Sequence, residues 1–314
     1  MNHNKDLNTK KLFKNNERFA DIFNHTVFGG KKVVNANNLT ELNTETLLEK
    51  DGKRLSRRER DILKEALVMA DDKSVYILLG IENQSTVDVT MPLRSNMYDL
   101  LEYEKQVKEY KSSKKRNKKL KLKPVITLVI YWGEKNWYGP HSLLEMMDEN
   151  VVKHYHEYIN DYHMNILIPK EMSEEDIDKF ETDMKDIFMI LNVRDSYEEM
   201  NKLLQERKDI YSKFDKDAVD LIDALTNLDL NEMQEDEEGK VDMCKAIEDM
   251  KSISKAEGKK EGIKEGKIEE RRMNIKVMYE TMKETNPEKS DKEIINILSK
   301  AFKETQKYVR SIVL

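Results

Sequence analysis

Residues 61–85 read DILKEALVMADDKSVYILLGIENQS, and this stretch decides the fold. Two runs rich in apolar and β-branched residues flank a polar turn at Asp71 and Asp72, a pattern that predicts a β-hairpin. The centre of a turn fixes which positions oppose each other, so a turn centred between the two aspartates places Asp61 opposite Glu82. Their Cβ atoms would then lie roughly 5 Å apart on one face of the sheet. The predicted strands are 61–68 and 74–82.

Four polar groups would meet at the end of this hairpin. Gln84 points to the same face as Glu82, because side chains alternate along a strand, and Asn83 would present its backbone carbonyl between them. Two carboxylates and a carbonyl oxygen suit a hard divalent cation. The competing interpretation is that acids near strand ends bind nothing, since short motifs match often by chance. Opposed like charges destabilise a strand pair unless something neutralises them, which favours a cation at Asp61 and Glu82.

The rest of the chain supplies helices and further strands. Apolar spacing predicts a helix over residues 1–30, ended by two glycines, and another helix that opens at Pro92. Strand formers dominate 124–133 (PVITLVIYWG) and 164–169 (MNILIP), and a weaker strand pattern lies within 39–48. Amphipathic helical segments follow. This order predicts an α+β fold, a small sheet flanked by helices, followed by an all-α C-terminal region.

The composition excludes several classes of protein. The chain has 314 residues, of which 37% are charged, and its net charge of −6 argues against a bulk polycation. A single cysteine, Cys244, excludes an intramolecular disulfide framework and a cysteine-based zinc cluster. No apolar run is long enough for a membrane span, and the N-terminus lacks the apolar run of a signal peptide. We therefore expect a cytoplasmic protein.

Charge is distributed unevenly along the chain. Between Lys105 and Lys123 the sequence holds ten lysines and arginines against one acid, whereas the segment from Glu171 to Lys240 holds 23 acids against nine bases. Two interpretations of the basic tract stay open: it follows a phosphate backbone, or it is a solvated loop, as most charge runs are. In the first interpretation the contacting residues are Lys114, Lys115, Arg116, Lys118 and Lys119.

The hairpin motif carries a resemblance to a known group of enzymes. Asp61, followed by an apolar strand that ends IENQS at 81–85, resembles the PD-(D/E)XK nuclease superfamily. More narrowly, it is similar to the Rpn-like family of recombination-promoting nucleases and transposases. The likeness covers about 10–170 well and the tail more loosely. Its supporting pieces are Phe13-Lys14, Arg94, Tyr98, Tyr103, Tyr131-Trp132-Gly133 and the Glu-Gly repeat at 257–266.

This resemblance implies a core of helix, three strands, helix and strand that cuts nucleic acid with Mg²⁺ or Mn²⁺. It makes Asp61 and Glu82 the metal ligands, together with the Asn83 carbonyl. It also puts Gln84 in the position that gives the superfamily its lysine. Glutamine has no charge to lower the pKa of an attacking water, so the resemblance also allows low or conditional activity. The superfamily often adds an acid from the first helix. The two candidates here are Glu17 and Asp21.

Two hypotheses about function follow. In the first, the chain is a metal-dependent DNA endonuclease that hydrolyses phosphodiester bonds and is linked to recombination or transposable elements. Arg94, Tyr98 and Tyr103 would then join the basic tract in binding DNA. In the second, it is a catalytically weak or inactive nucleic-acid-binding or scaffold protein that retains the fold. The missing lysine favours the second hypothesis, whereas the presence of two opposed acids, for which an inert scaffold has little use, favours the first.

We predict four segments along the chain. They are a nuclease-like domain at 1–170, an acidic helical region at 171–250, a helical linker with the Glu-Gly repeat at 251–270 and a small three-helix segment at 271–314. Ser290 and Glu293 predict a capping box in the last segment. Its basic residues permit a helix-turn-helix DNA reader. The glycines at a period of four instead permit a homo-oligomer formed through the C-terminal helices.

Overall fold

The computed structural model describes residues 2–50, 53–70, 73–113, 119–226, 228, 230 and 235–314. Within these, the side chains of 2–4, 45–50, 53–59, 70, 246 and 248–261 lie outside the description. The chain forms two compact units, Met1–Cys244 and Lys245–Leu314. Among the described residues, no helix combines the length and the apolar character that a membrane crossing requires.

A five-stranded mixed sheet forms the centre of the first unit. The strands are β1 (Leu39–Glu41), β2 (Glu45–Lys50), β3 (Lys53–Glu59), β4 (Ile62–Ala70), β5 (Lys73–Gln84), β6 (Val125–Tyr131), β7 (Asn165–Leu167), β8 (Phe214–Asp215) and β9 (Lys240–Val241). The central sheet has the order β1-β4-β5-β6-β7. Its β1, β4 and β5 are antiparallel neighbours, whereas β5, β6 and β7 run parallel.

Helices precede, interrupt and follow this sheet. They are α1 (Asn2–Lys14), α2 (Asn16–Thr26), α3 (Met91–Ser112), α4 (Glu149–Tyr155), α5 (Glu174–Asp178), α6 (Met184–Val193), α7 (Tyr197–Glu206), α8 (Lys208–Tyr211), α9 (Lys216–Thr226), α10 (Met243–Thr285), α11 (Asp291–Phe302) and α12 (Gln306–Val313). The predicted α+β class, with an all-helical C-terminal region, is confirmed.

The register of the predicted hairpin is also confirmed. Strand β4 pairs with β5 from Ile62 opposite Ile81 onward to the turn, whose residues 71–72 lie outside the described part of the chain. One further position along this pairing, Asp61 stands opposite Glu82, as the position of the turn predicts. The two acids therefore lie where β4 begins and β5 ends.

The core has the predicted order of helix, three strands, helix and strand. Helices α1 and α2 come before the antiparallel strands β1, β4 and β5, and α3 then returns the chain so that β6 lies parallel to β5. A parallel pair needs a crossover of this kind. Leu63, Leu78 and Val125 pack against Tyr103 of α3 and so fix that helix on the sheet.

The predicted single helix over residues 1–30 is wrong, because a break divides it into α1 and α2. The Asn15 side chain accepts hydrogen bonds from the backbone N–H groups of Glu17 and Arg18 and thereby caps a new helix. The predicted stop is confirmed: Gly29 and Gly30, just after α2, adopt φ values of 61° and 84°, which favour glycine.

The hairpin formed by β2 and β3 is a feature that the sequence does not predict. It is a separate two-stranded sheet inserted between β1 and β4, and at its base the Arg60 N–H donates to the Thr44 carbonyl (3.2 Å). Charged residues dominate both strands, ETLLEK and KRLSRRE, so the apolar alternation that identifies a strand is weak. The strand predicted within 39–48 corresponds to β1 and the first part of β2.

Helices that follow the sheet pack onto the N-terminal helices in the same unit. Arg18 of α2 donates two hydrogen bonds to Asp183 (2.8 and 2.6 Å) and lies 3.0 Å from Asp215. Asn8 of α1 donates to the backbone carbonyl of Asp220 (2.8 Å). A buried, bidentate arginine pair is the strong form of this interaction. The predicted boundary after the sheet therefore falls inside the first compact unit.

The second unit contains most of α10, with α11 and α12. Helix α10 continues through the Glu-Gly repeat, so the predicted linker and the first of the three predicted C-terminal helices are one helix. The capping box at Ser290 and Glu293 is confirmed. A small apolar core holds the unit together. It includes Ile275, Ile294, Leu298 and Val309.

Candidate functional site

Asp61 and Glu82 each bind the backbone of the opposite strand. The Asn83 N–H donates to Asp61 Oδ2 (2.8 Å), and the Asp61 N–H donates to Glu82 Oε1 (3.4 Å). Asp61 occupies a bend immediately before β4, which turns its carboxylate toward the end of β5. The three residues that the hairpin register predicts to lie together are therefore in direct contact.

Asn83 is held from its other side by Trp132, the residue immediately after β6. Trp132 Nε1 donates to Asn83 Oδ1 (2.9 Å) in the interior, and the Trp132 N–H donates to the Gln84 carbonyl (2.8 Å). The N–H and carbonyl of one strand residue point to the same edge, so the Asn83 carbonyl faces the side of Asp61. Gln84 is half-buried and follows Glu82 on the same face of β5.

Glu82 is an almost fully buried carboxyl group, with 3% of its side chain exposed. Burial raises its pKa, and the negative charge of Asp61 raises it further, to about 8. The positive charges of Arg60 and Arg94 and the hydrogen bond from the Asp61 backbone act in the opposite direction without restoring the ordinary value. At neutral pH this carboxyl group therefore holds a proton for most of the time unless further positive charge arrives beside it.

Arg94 of α3 lies at the rim of the site, but its main partner is elsewhere. Its Nη1 lies 2.7 Å from Asp88 Oδ2, whereas its Nη2 lies 3.9 Å from Glu82 Oε2. Asp88 also accepts the N–H and hydroxyl of Thr90 (2.9 and 2.6 Å), which fixes the loop between β5 and α3. Arg94 thus compensates the charge of Glu82 only in part.

Lys10 is a residue of the site that the sequence analysis missed. Its Nζ lies 3.3 Å from Asp61 Oδ1, whereas the Asn83 N–H donates to the other oxygen of that carboxylate. The side chain is 35% exposed. Helical spacing is the signal that was available: Lys10 lies three residues before the fully buried Phe13, at the margin of the buried face of α1.

The two candidates for an additional acid lie in α2, and neither is brought to Asp61 or Glu82 by the contacts of the described residues. Asp21 accepts the backbone N–H groups of Glu181 and Thr182 and the Thr182 hydroxyl (2.6 Å), so its carboxylate caps the chain before α6. Glu17 is exposed. In the described part of the chain, no third His, Cys, Asp or Glu joins the pair in a group that could hold a metal ion.

The predicted DNA-binding residues fall into two groups. Tyr98 is buried beside Arg60, and the Tyr103 hydroxyl accepts the Val125 N–H (3.0 Å), so both tyrosines pack within the fold. In the basic tract, Lys119 is exposed. The other predicted contacts lie outside the described residues. They are Lys114, Lys115, Arg116 and Lys118.

Two hydrogen bonds join the beginning and the end of the basic tract. Lys123 donates its N–H to Gln106 Oε1 (2.7 Å), and Gln106 Nε2 donates to the Lys123 carbonyl (3.2 Å). This pair of hydrogen bonds joins the last turns of α3 to the residue two positions before β6. The segment 107–122, which begins with the end of α3, therefore starts and ends at neighbouring positions.

A protein family whose description is "Putative transposase, YhgA-like" matches residues 5–218. The match covers the central sheet, the paired carboxylates, Lys10 and the helices as far as the start of α9. No curated protein and no solved structure matches the chain.

Proposed function

Because the chain belongs to the YhgA-like transposase family, we propose that it is a metal-dependent DNA endonuclease that acts in transposition or recombination. It would hydrolyse phosphodiester bonds with Mg²⁺ or Mn²⁺. One observation carries the proposal: two carboxyl groups, Asp61 and the buried Glu82, oppose each other at a strand end, and the pKa of Glu82 stays raised, at about 8, despite the positive charges near it. A hard divalent cation is the partner that such a pair suits best.

The donor set at this strand end fits Mg²⁺ or Mn²⁺. Asp61, Glu82 and the Asn83 carbonyl offer only oxygen atoms, as these ions prefer, and such ions usually keep several waters. The raised pKa of Glu82 also supports a cation, because binding one would remove the cost of ionising a buried carboxyl group. When bound, the ion would make water more acidic and stabilise negative charge at the phosphate.

The remaining residues would hold the ligands in place. The Asn83 N–H fixes the orientation of the Asp61 carboxylate, and Trp132, just after the neighbouring strand, fixes the Asn83 side chain. Gln84, on the face of Glu82, would orient the attacking water or a phosphate oxygen. In the reaction, the water oxygen bonds to phosphorus while the bond to the leaving oxygen breaks. The water loses a proton to solvent, and the leaving oxygen takes one up.

The direct test is cleavage of supercoiled plasmid DNA by the purified full-length chain. We expect nicked or linear product with Mg²⁺ or Mn²⁺ and none with EDTA, because without the ion neither charge stabilisation nor an activated nucleophile is available. Ca²⁺, which commonly supports DNA binding without turnover at such sites, should give a complex but no product. Cleavage that continues in EDTA would contradict the proposal.

Two substitutions of Gln84 should change the cleavage rate in different directions. If it takes the place of a lysine in positioning water or phosphate, Gln84→Lys should keep or raise the cleavage rate. Gln84→Ala should lower the rate by roughly 10-fold, because the water or phosphate is then positioned less well. Single-turnover rates with Mn²⁺ measure the effect. Equal rates in the wild type and both variants would remove Gln84 from the chemistry.

Neutralising the basic tract should change how strongly the affinity for DNA depends on the salt concentration. The first interpretation of the tract places five of its residues on phosphates: Lys114, Lys115, Arg116, Lys118 and Lys119. Replacing them with neutral residues should then flatten the slope of the logarithm of the DNA association constant against the logarithm of the salt concentration. The change should be roughly 0.9 for each phosphate contact that is lost. The loss of affinity should be similar for all duplex sequences, since phosphate contacts do not read bases. A salt titration of DNA affinity in Ca²⁺ measures the slope. An unchanged slope would identify the tract as a solvated loop.

A second function has one observation in its favour, the neutral Gln84 in the position of the superfamily's lysine. The chain would then be a nucleic-acid-binding or scaffold protein with weak or no catalysis. DNA binding in Ca²⁺ without cleavage in Mg²⁺ or Mn²⁺ would select this alternative over the nuclease.

We further propose that the C-terminal unit either binds DNA or joins copies of the chain. Its basic residues Lys300, Lys303, Lys307 and Arg310 are exposed, which suits DNA. Sedimentation of the full chain with and without DNA separates the two roles, because only assembly raises the mass in the absence of DNA.

A further inference from the structure

Lys10 binds the Asp61 oxygen to which Asn83 does not donate. Asp61 Oδ2 accepts the Asn83 N–H at 2.8 Å, whereas Oδ1 lies 3.3 Å from Lys10 Nζ. Among the ion pairs of the described residues, Lys10 is the one cation on this carboxylate. The ammonium group therefore occupies an oxygen that a divalent cation would also use.

A second contact between α1 and β4 sets the position of Lys10. Lys64 Nζ donates to the Lys14 carbonyl (2.9 Å) and to Asn16 Oδ1 (2.7 Å). Lys64 lies on β4, three residues after Asp61, and Lys14 follows Lys10 by one helical turn on α1. Both contacts therefore join α1 to the same part of the chain, the start of β4.

These contacts hold the backbone of α1 in place and leave the Lys10 side chain as the part that can move. Lys64 is 1% exposed, and its ammonium group also lies over the Phe19 ring, 4.7 Å from its centroid. A shift of α1 along β4 would leave that buried ammonium group without partners, at a substantial cost. Lys10 itself is one-third exposed and has a long flexible side chain, so its Nζ can move while its backbone stays fixed.

The other cations near Glu82 are bound by other acids. Arg60 donates to Asp99 Oδ1 (2.9 Å), and Arg94 lies 2.7 Å from Asp88 but 3.9 Å from Glu82. Gln84 is neutral. A lysine ammonium group is a compact charge with three N–H donors and can bind a phosphate oxygen as a point charge.

We propose that Lys10 is a catalytic residue that supplies, from α1, the positive charge that Gln84 lacks. When a divalent cation binds Asp61, the Lys10 ammonium leaves Oδ1 and donates to a non-bridging oxygen of the DNA phosphate. There it stabilises the negative charge that develops as water attacks phosphorus. Lys10 neither gives nor takes a proton, so the bonds that form and break are those of the hydrolysis itself. This inference rests on the proposed nuclease function and names a further residue of the same site.

The test compares Lys10→Met with Lys11→Met in the full-length protein. Lys11 is the matched control, because it is the next residue of the same helix and pairs with Asp217 (2.6 Å), away from the two carboxylates. Three quantities are measured: the single-turnover cleavage rate with Mn²⁺, the affinity for Mn²⁺ without DNA by calorimetry, and the thermal midpoint. Lys10→Arg is a second variant that keeps the charge.

Lys10→Met should lower the cleavage rate by about 100-fold or more, the loss typical for one donor at a developing charge. It should also tighten Mn²⁺ binding, because the competing ammonium group is gone from Asp61 Oδ1. Lys10→Arg should keep more of the rate than Lys10→Met. Lys11→Met should change neither quantity, and all four proteins should have similar thermal midpoints.

Two outcomes would overturn the role of Lys10 and leave the proposed nuclease standing. One is cleavage by Lys10→Met at the wild-type rate. The other is weaker Mn²⁺ binding by Lys10→Met, which would mean that the lysine only supports the site. A wild-type chain that cuts no DNA with any divalent cation would overturn the nuclease and the catalytic role of Lys10 together.

Discussion

Asp61→Asn should abolish cleavage while leaving the fold intact. The substitution removes the charge that a divalent cation needs. It keeps an oxygen that can accept the Asn83 N–H, which lies 2.8 Å from Asp61 Oδ2 in the wild type. We expect the cleavage rate to fall by roughly 10³-fold or more, which corresponds to about 4 kcal/mol of transition-state stabilisation. Plasmid cleavage with Mg²⁺ and Mn²⁺ measures the rate, and calorimetry measures the affinity for Mn²⁺, which should fall as well.

Asp217→Asn is the matched control for this experiment. Asp217 also pairs with a lysine of α1, Lys11, but lies away from the site, so its variant should cleave DNA at the wild-type rate. The metal-free thermal midpoint of Asp61→Asn should change little, because the loss of the partly exposed ion pair with Lys10 is offset by the loss of a negative charge beside the buried Glu82. Undiminished cleavage by Asp61→Asn would point to another site or to a contaminating nuclease.

Glu82 should make the metal-free protein less stable as the pH rises. Its pKa in the fold is about 8, above the ordinary value of 4.5, so the folded state holds a proton that the unfolded state releases. The stabilisation is complete below the ordinary pKa and is lost as the pH rises toward 8. In EDTA, the free energy of unfolding should therefore decrease from about pH 5 to about pH 8 relative to Glu82→Gln, which has no proton to lose.

Divalent cations should reverse this trend. Mg²⁺ or Mn²⁺ should stabilise the wild type most near pH 8, where Glu82 gives up its proton at little cost, and less at about pH 6. Glu82→Gln should gain little from either ion and should not cleave DNA. Thermal unfolding of both proteins in EDTA and in Mg²⁺ gives the four curves required. If the difference in the free energy of unfolding between the wild type and Glu82→Gln in EDTA stays constant with pH, the raised pKa of Glu82 is contradicted.

The hairpin and its paired acids could be predicted because local rules determine them. Two apolar runs and one polar turn fix the register, and the register alone brings Asp61 beside Glu82. The position of α3 follows from the need of a parallel pair for a crossover. The family match over residues 5–218 agrees with the resemblance that these residues carry.

What the sequence analysis missed depends on contacts between distant parts of the chain. Lys10 reaches Asp61 because residues far along the chain, Lys64 among them, hold α1 in place. Asp21 has the residue type of a third acid, but residues 181–182, far along the chain, take up its carboxylate. The break at Asn15 could have been predicted from the sequence, because asparagine is a common helix cap. The regular apolar spacing on both sides of Asn15 instead suggested one continuous helix, whereas Asn15 begins a second one.

The hydrogen bonds between Gln106 and Lys123 have a consequence for evolution. The residues that connect the end of α3 to Lys123 can change in number at little cost, because each doubling of a loop's length adds only about 0.6 kcal/mol of closure entropy. Insertions, deletions and charge changes beyond this junction need not disturb the sheet or the paired acids. The length and the charge of this one segment can therefore change while Asp61 and Glu82 keep their positions on the sheet.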